Sequence, residues 1–141
     1  MSFLNGLRGV FGGTVPEDFN WNIPQKQDDL RYVFGPDSGT HLLYKHSNSC
    51  GVCFFSKKSV ETVMKQRPDS LTYHFVEVRQ NRDISNLIES LSGIKHESPQ
   101  ALIIHNGTLV WHASHGSITD AGIEKALDTL PEAARLPKHN D

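Results

Sequence analysis

Leu42-Leu43-Tyr44-Lys45-His46-Ser47-Asn48-Ser49-Cys50-Gly51-Val52-Cys53 decides how this chain is read. An apolar run leads into polar loop residues, and the only two cysteines follow at i and i+3, where a helix can start at Gly51. Two thiols at that spacing are close enough for a disulfide, and the leading sulfur at a strand-to-helix junction lies at the mouth of the helix. The stretch reads as a redox site, Cys50-Gly51-Val52-Cys53.

The composition suits a soluble domain of ordinary size. The 141 residues are 37% hydrophobic and 21% charged, enough for one core that needs no disulfide or metal staple. A formal net charge of -2, with Lys57-Lys58 as the only adjacent basic pair, gives no support to nucleic-acid binding. No apolar run approaches the roughly 18 residues that cross a membrane. In Met1 to Gly13, Leu4, Leu7, Val10 and Phe11 recur at helical spacing, but polar residues and glycines interrupt them and no secretion signal is formed. The expected location is the cytoplasm, where two cysteines three apart are more often redox-active or metal-binding than structural.

Outward from the cysteines the elements fall in order. Residues 1–24, rich in Gly, Asn and Pro with Phe19 and Trp21 as anchors, are expected to form a weakly ordered arm. Gln27 to Phe34 predicts a short helix ended by Gly35-Pro36. His41 to His46 predicts a buried strand, followed by a helix to about Gln66 with Cys53, Val60, Val63 and Met64 on one side. Thr72 to Val78 alternates as a strand, at the distance a parallel crossover needs. Ile84, Leu87, Ile88 and Leu91 mark the next helix, capped by Asn81 or Asp83 and ended by Gly93. Ala101 to Ile104 and Thr108 to His112 flank Asn106-Gly107, a hairpin signal. Ser117 or Thr119 caps a last helix carrying Ile123, Ala126, Leu127 and Leu130, before a tail at 132–141.

The order β-α-β-α-β-β-α predicts an α/β domain over residues 25–131, a four-stranded mixed sheet flanked by helices behind an N-terminal extension. This is the thioredoxin-like arrangement. Ser98-Pro99 falls between the second long helix and the hairpin. In this fold a proline there lies opposite the leading cysteine in the cis form and exposes the backbone before it to an extended substrate. By sequence alone an X–Pro bond is cis only about 5–6% of the time.

The chemistry follows from the thiol pKa, which a helix N-terminus and nearby cations depress, with Lys45, His46 and Lys57 as the candidate charges. Cys50 is the expected nucleophile and Cys53 the resolving thiol, with Gly51, Val52, Ser98 and Pro99 as the substrate-binding surface. The redox group is the Cys50–Cys53 disulfide itself, and no other cofactor is expected. Expected partners are proteins carrying disulfides or mixed disulfides, a low-molecular-weight thiol, and a reductant that returns the pair to thiols. A cysteine pair at this spacing also occurs as half of a zinc or iron–sulfur site, but the eight histidines show no ligand spacing around it, and no metal site is expected except one shared across a dimer. Trp111, His112 and His115 read as a packed aromatic with surface imidazoles, and His96-Glu97 as an exposed charge pair. From a different class, a thioredoxin-fold binding module with structural cysteines would hold a partner by strand addition along Ser98-Pro99.

Lys45-His46-Ser47 before Cys50, Lys95-His96-Glu97-Ser98-Pro99-Gln100, Asn106-Gly107, and Trp111-His112-Ala113-Ser114-His115 with Ile118-Thr119 together resemble the monothiol bacilliredoxin-like family of the bacillithiol redox system. The resemblance covers about residues 21–130. It implies a thioredoxin-like fold and reduction of mixed disulfides between proteins and bacillithiol, with Cys50 as nucleophile. The family's site string is Cys-Pro-Ile-Ser or a close relative, whereas this chain has Cys50-Gly51-Val52-Cys53. A serine cannot resolve a mixed disulfide, so Cys53 opens a dithiol cycle that monothiol relatives complete with an outside thiol.

Overall fold

The computed structural model describes residues 19–48 and 51–131. Ser49 and Cys50, the first 18 residues and the tail 132–141 lie outside the described residues. The strands are β1 (Trp21–Asn22), β2 (Thr40–His46), β3 (Thr72–Glu77), β4 (Gln100–His105) and β5 (Thr108–Ser114). The helices are α1 (Asp28–Arg31), α2 (Gly51–Gln66), α3 (Arg82–Ser92) and α4 (Asp120–Leu127), with 3-10 turns at Tyr32–Phe34 and His115–Ser117.

The strands form one sheet in the order β1-β3-β2-β4-β5. β3 runs parallel to β1 and β2, β4 is antiparallel to β2, and β5 is antiparallel to β4. This is the expected thioredoxin-like α/β fold, with one correction: the sheet has five strands rather than four. The extra strand comes from the segment read as an arm. Trp21 pairs with Tyr73 and Asn22 with His74, and the indole buries against Tyr44 and Phe75 at ring distances of 5.9 and 5.3 Å. Burial of one large aromatic holds down a strand too short to show any period.

Alternation along the central strands feeds two cores. Leu42, Tyr44, Tyr73, Phe75 and Ile103 meet Val60 and Val63 of α2 and Ile123 and Leu127 of α4 on one face. Leu43, Val76, Leu102 and Ile104 meet Leu30, Val33, Ile84 and Ile88 on the other. The sheet is therefore buried on both sides, as parallel crossovers require. In α2 the buried residues Cys53, Ser56, Val60, Val63 and Met64 lie along one stripe.

Local signals set the ends of these elements. Gly93 takes φ 76 and donates its N–H to the Glu89 carbonyl, closing α3. Asn81 occupies the N-cap of α3 without a side-chain cap bond, whereas Thr119 caps α4 by accepting from the Gly122 N–H at 3.0 Å. Asn106 and Gly107, at φ 49 and 83, make the β4–β5 turn. Gly107 is required twice over, because a Cβ there would also lie 2.6 Å from the Phe34 carbonyl oxygen.

At the start of β2 and β3 a chain of side chains, with His41 and His74 buried, ties three strands together. Asn22 Nδ2 lies 2.8 Å from His74 Nδ1, His74 Nε2 lies 2.9 Å from His41 Nδ1, and His41 Nε2 lies 2.8 Å from the Ser38 carbonyl. The carbonyl can only accept, so His41 carries its proton on Nε2. His41 Nδ1 then accepts from His74 Nε2–H, and His74 Nδ1 accepts from the Asn22 amide. Every position is satisfied with both imidazoles neutral. Burial pushes the His74 pKa down to about 3, reinforced by His41, and lowers that of His41 as well.

Candidate functional site

The site lies where the C-terminal end of β2, the first turn of α2 and the loop before β4 converge. α2 begins at Gly51, the residue that follows Cys50 in the chain. Cys53 is fully buried, while Val52 beside it is 46% exposed. The role assigned to Cys50 falls on a residue outside the described ones.

Across the sheet end, the Ser98–Pro99 peptide bond is cis. Pro99 is buried and its carbonyl accepts the His115 N–H at 3.0 Å, while the His115 carbonyl accepts from Ser56 Oγ at 3.2 Å. The proline loop, the 3-10 turn and α2 are thus joined in series. His115 stands at φ 55, a left-handed conformation that a residue other than glycine adopts only when its surroundings fix it. Its Nε2 meets Glu97 Oε1 at 2.9 Å, and this hydrogen bond lowers the Glu97 pKa. The side-chain partner of Glu97 at the site edge is therefore His115, not His96. His96 turns instead to Ser85 Oγ at 3.2 Å.

The three candidate cations separate. His46 faces α2, its ring tilted against Phe75 and Tyr44 at centroid distances of 5.1 and 5.7 Å. Burial drives its pKa down to about 4, the Lys57 charge adds to the shift, and Glu77 and Asn48 oppose it. At neutral pH His46 carries no charge, which corrects its reading as a cation. Lys45, one residue earlier, faces the other side of the sheet and is fully buried, with Nζ donating to Gln100 Oε1 at 3.2 Å. Burial lowers its pKa to about 8 against the pull of Glu89 and Glu97. Strand alternation decides both outcomes. Lys57, on α2, is the remaining cation close to His46.

Tyr44 connects the strand to the helix. Its hydroxyl donates to the Cys53 carbonyl at 2.9 Å and lies 3.1 Å from His46 Nδ1. A carbonyl cannot donate, so the single phenol proton goes to Cys53 and His46 supplies the Nδ1–H for the second bond. Glu77, buried at the end of β3, organises the loops beside the site. Its carboxylate accepts the Asn48 N–H at 3.2 Å and the Arg79 and Gln80 N–H groups at 2.9 Å each. Sequence reasoning passed over Glu77, whose only advance signal is an acidic residue ending an apolar strand.

Among the described residues no three His, Cys, Asp or Glu side chains gather as metal ligands, and no helix is long and apolar enough to cross a membrane.

Comparison with solved structures places the fold. A chain provisionally described as an oxidoreductase with a thioredoxin fold is 26% identical, with a TM-score of 0.69 over 76% of this chain and 93% of that one. Thioredoxins from Trypanosoma brucei brucei (13% identity, TM-score 0.64, 82% of this chain and 95% of that one) and Fasciola hepatica (16%, 0.60, 77% and 97%) share the fold. The model of the family described as monothiol bacilliredoxin BrxC matches residues 25–123. That match spans β2, α2, the cis-proline loop and the β4–β5 hairpin, and the chain belongs to the monothiol bacilliredoxin family.

Proposed function

We propose that this protein is a thiol–disulfide oxidoreductase of the reducing cytoplasm, acting on protein disulfides or on mixed disulfides between proteins and a small thiol such as bacillithiol. The observation that carries the reading is the start of α2 at Gly51, directly after Cys50, with Cys53 buried in the first turn. The Cys50 thiolate attacks the mixed disulfide at the small-thiol sulfur, the protein leaves as a thiolate, and a Cys50–small-thiol disulfide forms. The Cys53 thiolate then attacks the Cys50 sulfur, releasing the small thiol and forming the Cys50–Cys53 disulfide. Two electrons have passed from the pair to the substrate, and a reducing partner returns them. No bound cofactor enters this cycle. Val52, Gly51 and the backbone at Ser98–Pro99 flank the approach.

Reaction of the purified protein with a mixed-disulfide peptide, followed by intact mass, tests this reading. Cys50→Ser abolishes reduction. Cys53→Ser accumulates a stable adduct of one small thiol on Cys50, released only by added thiol. Full turnover by Cys50→Ser refutes the assignment, and normal turnover by Cys53→Ser without an adduct reduces the cycle to its monothiol form.

A further inference from the structure

The exposed side of the first two turns of α2 is apolar and cationic. Phe54 is 58% and Phe55 70% exposed, their rings 5.7 Å apart and edge to face, and Val52, 46% exposed, lies earlier in the same helix. Lys58 Nζ sits 5.3 Å from the centre of the Phe54 ring. From Gly51 to Val60 there is no acidic side chain, and neither Lys57 nor Lys58 forms an ion pair among the described residues. Two large aromatic rings held in water, beside an ammonium group that makes no ion pair among the described residues, form a surface that gains free energy when covered.

We infer that Phe54, Phe55 and Lys58 dock the substrate protein itself, selecting a segment whose modified cysteine is flanked by an apolar side chain and by carboxylates. The inference rests on the proposed redox reading and names the substrate class of that site. The rings cover the apolar side chain, and the ammonium group faces the carboxylates across a partly desolvated contact. An anionic membrane offers related chemistry, but the patch is two rings in the first turns of the helix that follows Cys50 in the chain, and it matches a peptide segment in size.

The test compares kcat/KM for three oxidants: hydroxyethyl disulfide, a peptide with a Leu and two Asp beside its mixed-disulfide cysteine, and the same peptide with Lys in place of Asp. Wild-type protein favours the acidic peptide at low salt, and the preference collapses near 1 M salt, where the Debye length is about 3 Å. Phe54→Ser/Phe55→Ser loses about tenfold or more on both peptides, the scale of an aromatic anchor, and keeps its rate on hydroxyethyl disulfide. Lys58→Glu reverses the charge preference. Equal peptide rates for wild type and the double variant overturn the inference, as does binding to phosphatidylserine vesicles that the double variant loses while peptide rates stay unchanged. Failure of the wild type on hydroxyethyl disulfide would instead refute the redox reading beneath it.

Discussion

Acid should loosen this fold through its buried imidazoles before it titrates most carboxylates. The Asn22–His74–His41–Ser38 chain has hydrogen-bonding room for two neutral rings only. A proton added to His74 Nδ1 would face the Asn22 amide N–H, and one added to His41 Nδ1 would face the His74 N–H. The folded pKa of His74, about 3, lies below its ordinary value of 6.5. The unfolded chain therefore binds more protons below 6.5, and stability falls as pH drops from that value toward the folded pKa. At pH 5 the drop spans about 1.5 units, worth about 2 kcal/mol at about 1.36 kcal/mol per unit. His46, with a folded pKa of about 4, adds a similar loss over the same interval. Urea unfolding at pH 7.5 and pH 5 measures the loss, to which these two rings contribute about 4 kcal/mol and His41 adds in the same direction. His74→Gln keeps an acceptor and a donor but does not titrate, so its slope between the two pH values should be shallower by about 2 kcal/mol, whatever its stability at pH 7.5. A wild-type free energy that is flat across this interval, or an unchanged slope in His74→Gln, would refute the neutral-pair reasoning.

Glu77→Ala strands three loop N–H groups, and amide exchange at Asn48, Arg79 and Gln80 should quicken together, with a stability loss of about 2–4 kcal/mol by urea titration. Trp21→Ala opens a cavity between Tyr44 and Phe75 and detaches β1; a loss of about 3–5 kcal/mol is expected, measurable by thermal unfolding. Gly107→Ala drives a Cβ against the Phe34 carbonyl at a left-handed position, and circular-dichroism melts should show a loss of about 2 kcal/mol or more.

Periodicity made most of the fold legible. The β2–α2–β3 crossover, the Ile84/Leu87/Ile88 stripe, the Gly93 cap and the Asn106-Gly107 turn are local, and each lies in a few neighbouring residues. β1 escaped because two residues have no period, and what holds them is an indole packed on residues far along the chain. At the site, the buried place of Cys53 followed from its spacing on α2. The charges did not: Lys45 and His46 read as candidate cations near the thiol, yet strand alternation sends them to opposite faces and burial lowers the pKa of each. His41 and His74 are 33 residues apart, and only the parallel pairing of β2 with β3 brings them together.

The burial of Trp21 also gives the protein an optical reporter. The indole is 2% exposed, while the other tryptophan, Trp111, is only partly buried. In a Trp111→Phe background the emission comes from one fluorophore, packed against the tyrosine that holds the Cys53 carbonyl. Its wavelength follows the seating of the edge strand, and its intensity senses changes in the first turn of α2, so folding and thiol chemistry can be followed in the same cuvette without a label.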